Sequence, residues 1–218
     1  MTHVKICCIT SLYEANLAIR YGAHALGFVS WMPTGAGVIT DERIRELAAT
    51  IPAGVRRFLL TCKQEPSELI EQVRAAGTDT LQLVDRMTVP DLVRLRDGLP
   101  GVDLVQVVHV TGPAAIAEAE AVAPHVDFIL LDSGRPDALV RELGGTGRSH
   151  DWFTSAEIVR RVAVPVFLAG GLGPDNVARA IREVRPYGVD VCSRLRPQRR
   201  LDEALLADFF ASVQRAAN

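Results

Sequence analysis

Eight apolar runs of strand length, each followed by a segment whose apolar positions recur every three or four residues, restrict what this chain can fold into more than any other feature. The runs begin near Val4-Lys5-Ile6-Cys7, Ala25-Leu26-Gly27-Phe28-Val29, Arg57-Phe58-Leu59-Leu60, Thr80-Leu81-Gln82-Leu83, Leu104-Val105-Gln106-Val107-Val108, Phe128-Ile129-Leu130-Leu131, Val164-Pro165-Val166-Phe167-Leu168 and Val189-Asp190-Val191-Cys192. They are rich in branched and aromatic residues, which suit a pleated backbone. Residues 12–21, 41–51, 66–76, 89–99, 113–122, 155–162, 174–184 and 201–214 carry the helical spacing, with Pro66, Pro113 and Pro174 at first turns and Gly22, Gly77 and Gly98 after last ones. Strands this uniformly apolar are buried on both faces, as in a parallel sheet between helices. Eight such units in 218 residues predict one α/β domain over residues 1–218, a closed (β/α)8 TIM barrel, slightly shorter than the ~250 residues typical of it. A doubly wound open sheet is the alternative; the first junction, Cys7-Cys8-Ile9-Thr10-Ser11, lacks the glycine fingerprint such a sheet uses for dinucleotides.

Composition narrows the partners. A formal net charge of -2, with Lys and Arg scattered apart from Arg199-Arg200, gives no footprint for nucleic acid, so a small ligand is expected. Four cysteines without paired zinc-ligand spacing or the density of a secreted scaffold predict reduced thiols, a cytoplasmic location and no metal site. No apolar stretch approaches the ~18 residues of a membrane span, and the N-terminus runs into a strand without a signal segment. A soluble, untargeted chain is the expectation.

In a barrel the chemistry lies at the C-terminal ends of the strands. Cys7 ends the first apolar run and Asp132 the sixth, so these two are the candidate catalytic pair. Each has a plainer role open to it: a thiol can fill a core, and an aspartate can cap the next turn. Because side chains alternate along a strand, Cys7 and Cys8 are expected to face opposite ways, Cys7 toward the mouth. Asp127 and Asp190 read as structural, at strand beginnings. Gly170-Gly171 after the seventh run, with Ser193-Arg194 after the eighth, mark the two loops that most often cradle a phosphate in this fold, where glycine lets amides approach. His109, ending the fifth run, is within reach of substrate, with a buried rim histidine as the plainer reading. Trp152 suits an aryl border or a packing anchor. The irregular stretch 133–152 is where a functional loop belongs.

These residues resemble the phosphoribosylanthranilate isomerase family. The resemblance rests on Lys5-Ile6-Cys7 with Ile9-Thr10, Gly27-Phe28-Val29, Leu81-Gln82-Leu83, Leu130-Leu131-Asp132-Ser133, Gly144-Gly145-Thr146-Gly147 with Asp151-Trp152, Leu168-Ala169-Gly170-Gly171-Leu172 and Gly188-Val189-Asp190-Val191-Cys192-Ser193. It implies a cofactor-independent aldose-ketose isomerisation in tryptophan biosynthesis, with Cys7 as general base, Asp132 as general acid and the substrate phosphate on Gly170, Gly171 and the Ser193-Arg194 turn. It also implies substrate contacts from Lys5, Gln82, Gly145 and Thr146. The acid must hold a proton and the thiol must lose one, with Lys5 or a helix terminus favouring the thiolate.

The chain departs from the family pattern at four places. Pro33-Thr34-Gly35-Ala36-Gly37-Val38 stands where the family has Ser-Pro-Arg, whose arginine meets the anthranilate carboxylate; Arg135 and Arg148 on the long loop are the candidate replacements. Val84-Asp85 replaces His-Gly, Cys8 replaces a glycine, and Arg194 replaces another. A divergent isomerase of another amino-sugar phosphate, or a barrel that binds a phosphometabolite without turnover, are the alternative readings.

Overall fold

The computed structural model describes residues 1–33, 36–134 and 150–216. Eight parallel strands close into a barrel in chain order, the last pairing with the first. The elements are β1 His3–Ile6, α1 Leu12–Arg20, β2 Ala25–Val29, α2 Asp41–Ala48, β3 Arg56–Thr61, α3 Pro66–Ala76, β4 Thr80–Leu83, α4 Val89–Gly98, β5 Asp103–His109, α5 Ala114–Val122, β6 Phe128–Asp132, α6 Trp152–Arg161, β7 Val166–Leu168, α7 Val177–Val184, β8 Gly188–Val191 and α8 Glu203–Ala216. The (β/α)8 expectation holds, and the open sheet is excluded by the β1–β8 ladder.

Local chemistry sets most helix starts. Ser11, Thr40 and Thr88 each accept from the amide three residues on, satisfying a donor that the first turn leaves orphaned and contributing about 1 kcal/mol apiece. Two starts differ from the sequence expectation. Helix α6 begins at Trp152 rather than residue 155, because Asp151 accepts from the amides of Phe153 and Thr154. Helix α7 begins at Val177 rather than residue 174, because Asn176 folds the preceding residues into a turn: its Oδ1 accepts from Gly173 N at 2.8 Å and its Nδ2 donates to Gly171 O at 3.0 Å.

Side-chain alternation divides the core in two. Ile6, Leu26, Phe28, Leu59, Leu81, Leu131, Leu168 and Val189 face outward under the helices, against residues such as Ile44, Leu69, Leu92, Ile158 and Phe209. Cys7, Val29, Phe58, Leu60, Val84, Val107, Phe128, Leu130 and Phe167 fill the barrel interior. Each fully buried large side chain contributes roughly 1.5–3 kcal/mol, and the interior half of this apolar mass makes the barrel a packed scaffold for its mouth.

One polar pair is buried in that interior. Lys5 Nζ lies 2.9 Å from Asp190 Oδ2, its register neighbour across the β1–β8 seam, and 5.0 Å from the centroid of the Phe58 ring. Asp190 therefore is not a residue of the strand beginnings: it is the third residue of β8 and faces inward. The expectation failed because β8 starts at Gly188, which carries no apolar signal. Asp127 does fit its structural reading, accepting from Leu104 N at 2.7 Å and pairing with Arg96 at 2.8 Å at the N-terminal end of β6.

Candidate active site

Cys7 follows β1 directly, its amide continuing the ladder to Val191 O at 2.9 Å. Cys8 then turns into the left-handed region at φ 62°. Alternation holds only in extended backbone, so the expected opposition of the two thiols is overturned: Cys7 and Cys8 both pack in the interior cluster, with Cys192 against them. Each of the three thiols bears on the titration of the others. Gly37, in the loop after β2, lies so close over Cys8 that a Cβ there would come within 2.5 Å of the Cys8 Cβ. The departures at Cys8 and in that loop are thus in contact.

The electrostatics single out one sulfur. Donation from the Cys192 thiol, then from Cys8, with Lys5 adding its charge, holds Cys7 well below the usual thiol range despite burial. Cys192 and Cys8 are displaced upward in return, each chiefly by the hydrogen bond that links them to a neighbouring thiol. The Lys5 charge expected to favour the thiolate acts in the same direction. Asp190 is pushed up to about 7, by burial first and by Cys7 and Asp132, against the pull of Lys5. Lys5 stays ammonium, raised by Asp190 although burial alone would lower it.

Asp132 ends β6, half-buried, beside His109 in register. Its Oδ1 accepts from Ser133 N at 2.7 Å, so it caps the following turn as its plainer reading had it, while remaining at the mouth. The buried Asp190 feels the charge of both Cys7 and Asp132, the candidate base and acid. His109 is buried, its Nε2 3.0 Å from Val84 O, in line with its rim reading. Lys5 and Gln82, expected to touch substrate, are buried inside the barrel, as is Cys7. Arg135, Gly145, Thr146 and Arg148 lie outside the described residues.

The loops after β7 and β8 are tied together. Gly170 and Gly171 adopt φ 81° and 62°, the left-handed region that favours glycine. Gly171 O accepts from Asn176 and, at 3.3 Å, from Arg194 Nη1, whose other branch pairs with Asp175 at 2.9 Å. Among the described residues, the amides of Gly170, Gly171 and Leu172 donate to no protein acceptor, as a concavity for an oxyanion requires.

Sequence reasoning passed over His150. A Cβ on Gly170 would lie 2.8 Å from its Nδ1, which is buried without a partner among the described residues. Its Nε2 sits 2.8 Å from Ser155 Oγ, and Ser155 donates to Asp151 O, so the imidazole donates through Nε2. Burial lowers His150, against Asp132 and Asp151. A titratable residue closing a long loop beside Asp151-Trp152 was the available signal. Trp152 is a packing anchor on the outer core, with the Arg179 guanidinium 5.4 Å over its ring.

A family model described as N-(5'phosphoribosyl)anthranilate (PRA) isomerase matches residues 4–211. The chain is 40% identical over 194 residues to the N-(5'-phosphoribosyl)anthranilate isomerase of Haloferax volcanii, covering 88% of this chain and 84% of that one. The crystal structure of phosphoribosyl anthranilate isomerase from Thermotoga maritima superposes with a TM-score of 0.85 at 27% identity, covering 99% of this chain and 100% of that one. A further structure of this isomerase, in complex with reduced 1-(o-carboxyphenylamino)-1-deoxyribulose 5-phosphate, gives 0.83 at 25% identity over 99% of this chain and 100% of that one. With nearly all of its length matched, and with Cys7, Asp132 and the paired loops after β7 and β8 set around one barrel mouth, the chain belongs to the N-(5'-phosphoribosyl)anthranilate isomerase family.

Proposed function

We propose that the chain isomerises N-(5'-phosphoribosyl)anthranilate to the 1-(o-carboxyphenylamino)-1-deoxyribulose 5-phosphate without a cofactor. The observation that carries this reading is the placement of Cys7 and Asp132 at the C-terminal ends of β1 and β6, the same end of the barrel as a pair of loops whose glycine amides, among the described residues, are open to an oxyanion. Asp132 protonates the furanose oxygen, opening the ring to a Schiff base. Cys7 as thiolate then removes the C2 proton, and the enolamine tautomerises to the ketose. Gly170, Gly171, Ser193 and Arg194 hold the phosphate in this scheme, and residues 1–218 act as one domain. The reactants are small, soluble and phosphorylated, in keeping with a cytoplasmic enzyme; no helix of the described residues is long and apolar enough to cross a membrane.

The test is turnover of phosphoribosylanthranilate by purified protein, with loss of activity in Cys7→Ser. A second reading, an isomerase of another amino-sugar phosphate, is favoured by one observation: residues 30–40 carry no Lys or Arg. A buried carboxylate without a partner is costly, so a cation or a set of amides must answer it if anthranilate is the aryl group, and Arg135 and Arg148 are the nearest candidates by loop position. Arg135→Ala or Arg148→Ala then lowers kcat/KM for phosphoribosylanthranilate more than for its analogue lacking the carboxylate. Equal losses remove both arginines from that role, and no preference in the wild type favours the second reading.

A further inference from the structure

The register of the closing seam sets two thiols side by side. β1 and β8 pair Ile6 with Val191, and the ladder runs one bond further through Cys7 N to Val191 O, so Cys7 and Cys192 are lateral neighbours on adjacent parallel chains. Neighbouring strands lie about 4.8 Å apart, inside the range of roughly 4.4–6.8 Å between Cα atoms that a disulfide spans. Both side chains pack in the barrel interior, each thiol shifts the titration of the other, and Cys192 is half-buried at the open end. Cys8 packs in the same interior cluster, but a Cys7–Cys8 bridge would close a strained ring between consecutive residues, and Cys8 is covered by Gly37. Isomerisation needs only one thiol; the chain keeps three at its base.

The geometry points to Cys7 and Cys192 as a modification site, which a peroxide converts to a disulfide and a small dithiol reopens. Cys7 as thiolate attacks a peroxide oxygen; the O–O bond breaks, hydroxide leaves and takes a proton to become water, and Cys7 carries a sulfenic acid. Cys192 gives its proton to the sulfenic oxygen and its sulfur attacks the Cys7 sulfur, so the S–S bond forms, the S–O bond breaks and a second water departs. Two thiols are oxidised by two electrons and one peroxide is reduced to two waters. A neighbouring thiol that intercepts the sulfenic acid spares the base from irreversible oxidation to the sulfinic acid. That last consequence rests on the reading of Cys7 as the catalytic base; the bond itself does not.

The experiment treats reduced full-length protein with hydrogen peroxide and maps cysteine-containing peptides without reduction, in wild type, Cys8→Ser and Cys192→Ser. Expected is a cross-link between the peptide holding Cys7 and the one holding Cys192, kept in Cys8→Ser and lost in Cys192→Ser. Turnover of phosphoribosylanthranilate falls by about tenfold or more on oxidation and returns with dithiothreitol in wild type, while Cys192→Ser loses it permanently and gains a sulfinic mass at Cys7. Absence of the cross-link in folded wild type, or its persistence only where Cys8 is present, overturns the proposal. A cross-link in protein that never turned over the substrate overturns the proposed reaction and leaves the site standing. Circular dichroism of each variant establishes that the fold is intact.

Discussion

At the scale of single residues, the proposed base, Cys7, is set apart by its sulfur neighbours. Cys7→Ser and Asp132→Asn are each expected to lower kcat by about a hundredfold or more with the far-ultraviolet dichroism unchanged, the size of effect that positioned proton transfer gives; retention of half the wild-type rate by either removes its role. Cys192→Ala tests how the thiolate is held. The Cys192 thiol, with Cys8 and Lys5, holds Cys7 below the usual thiol range, and a base works only when deprotonated. Losing that donor lets the Cys7 value rise, so the limb of the kcat/KM profile that climbs with pH moves to higher pH, while the plateau above it is preserved. Cys192→Ser, which restores a hydroxyl donor, is expected to return part of the shift. A profile that does not move between wild type and Cys192→Ala assigns the thiolate to Lys5 instead.

At the scale of elements, the loop that carries Cys7 is fastened by one buried clamp. Glu14 on α1 accepts from Arg196 Nη1 at 2.6 Å, Leu201 N at 3.0 Å and Thr10 N at 3.0 Å, while Arg196 Nη2 donates to Cys7 O at 3.1 Å. Burial alone would raise the Glu14 carboxyl, but Arg196 and these amides hold it below the usual carboxylate range. A lowered value adds stability that is present above the unfolded glutamate value and lost as pH falls through the folded one. Glu14→Gln is therefore expected to cost about 3 kcal/mol near neutral pH, measured by urea unfolding, with the gap to wild type shrinking in acid. The same elements show what a sequence can tell. All eight strands were legible, because strands buried on both faces leave unbroken apolar runs. The starts of α6 and α7 were not, because Asp151 and Asn176 act through bonds to particular amides. The positions of Cys7, Asp132 and the Gly170-Gly171 loop at the C-terminal ends of strands were legible from the apolar runs they close. The left-handed turn at Cys8, the partners of Lys5 and the packing of His150 on Gly170 depend on chain segments far apart in sequence.

At the scale of the whole molecule, the barrel closes where its first and last strands meet, and the Lys5–Asp190 pair is buried in that seam. Removing two charges from water is expensive, and their attraction repays it only while both are present. Lys5→Met leaves Asp190 alone in the interior and is expected to destabilise the fold by about 3–5 kcal/mol, seen as a lower urea midpoint at unchanged slope. The pH dependence has a definite sign. Asp190 already takes a proton near pH 7 in the wild type, so at pH 5.5 both proteins bury a neutral acid and the gap between them narrows. At pH 8 the wild type holds an ion pair while the variant must bury a lone carboxylate or bind a proton, and the gap widens. Lys5→Met/Asp190→Val, with no charge left to strand, is expected to regain most of the loss and to lose this pH dependence. If the single variant is as stable as the wild type at pH 8, the pair does not hold the seam, and barrel closure rests on the apolar layers alone.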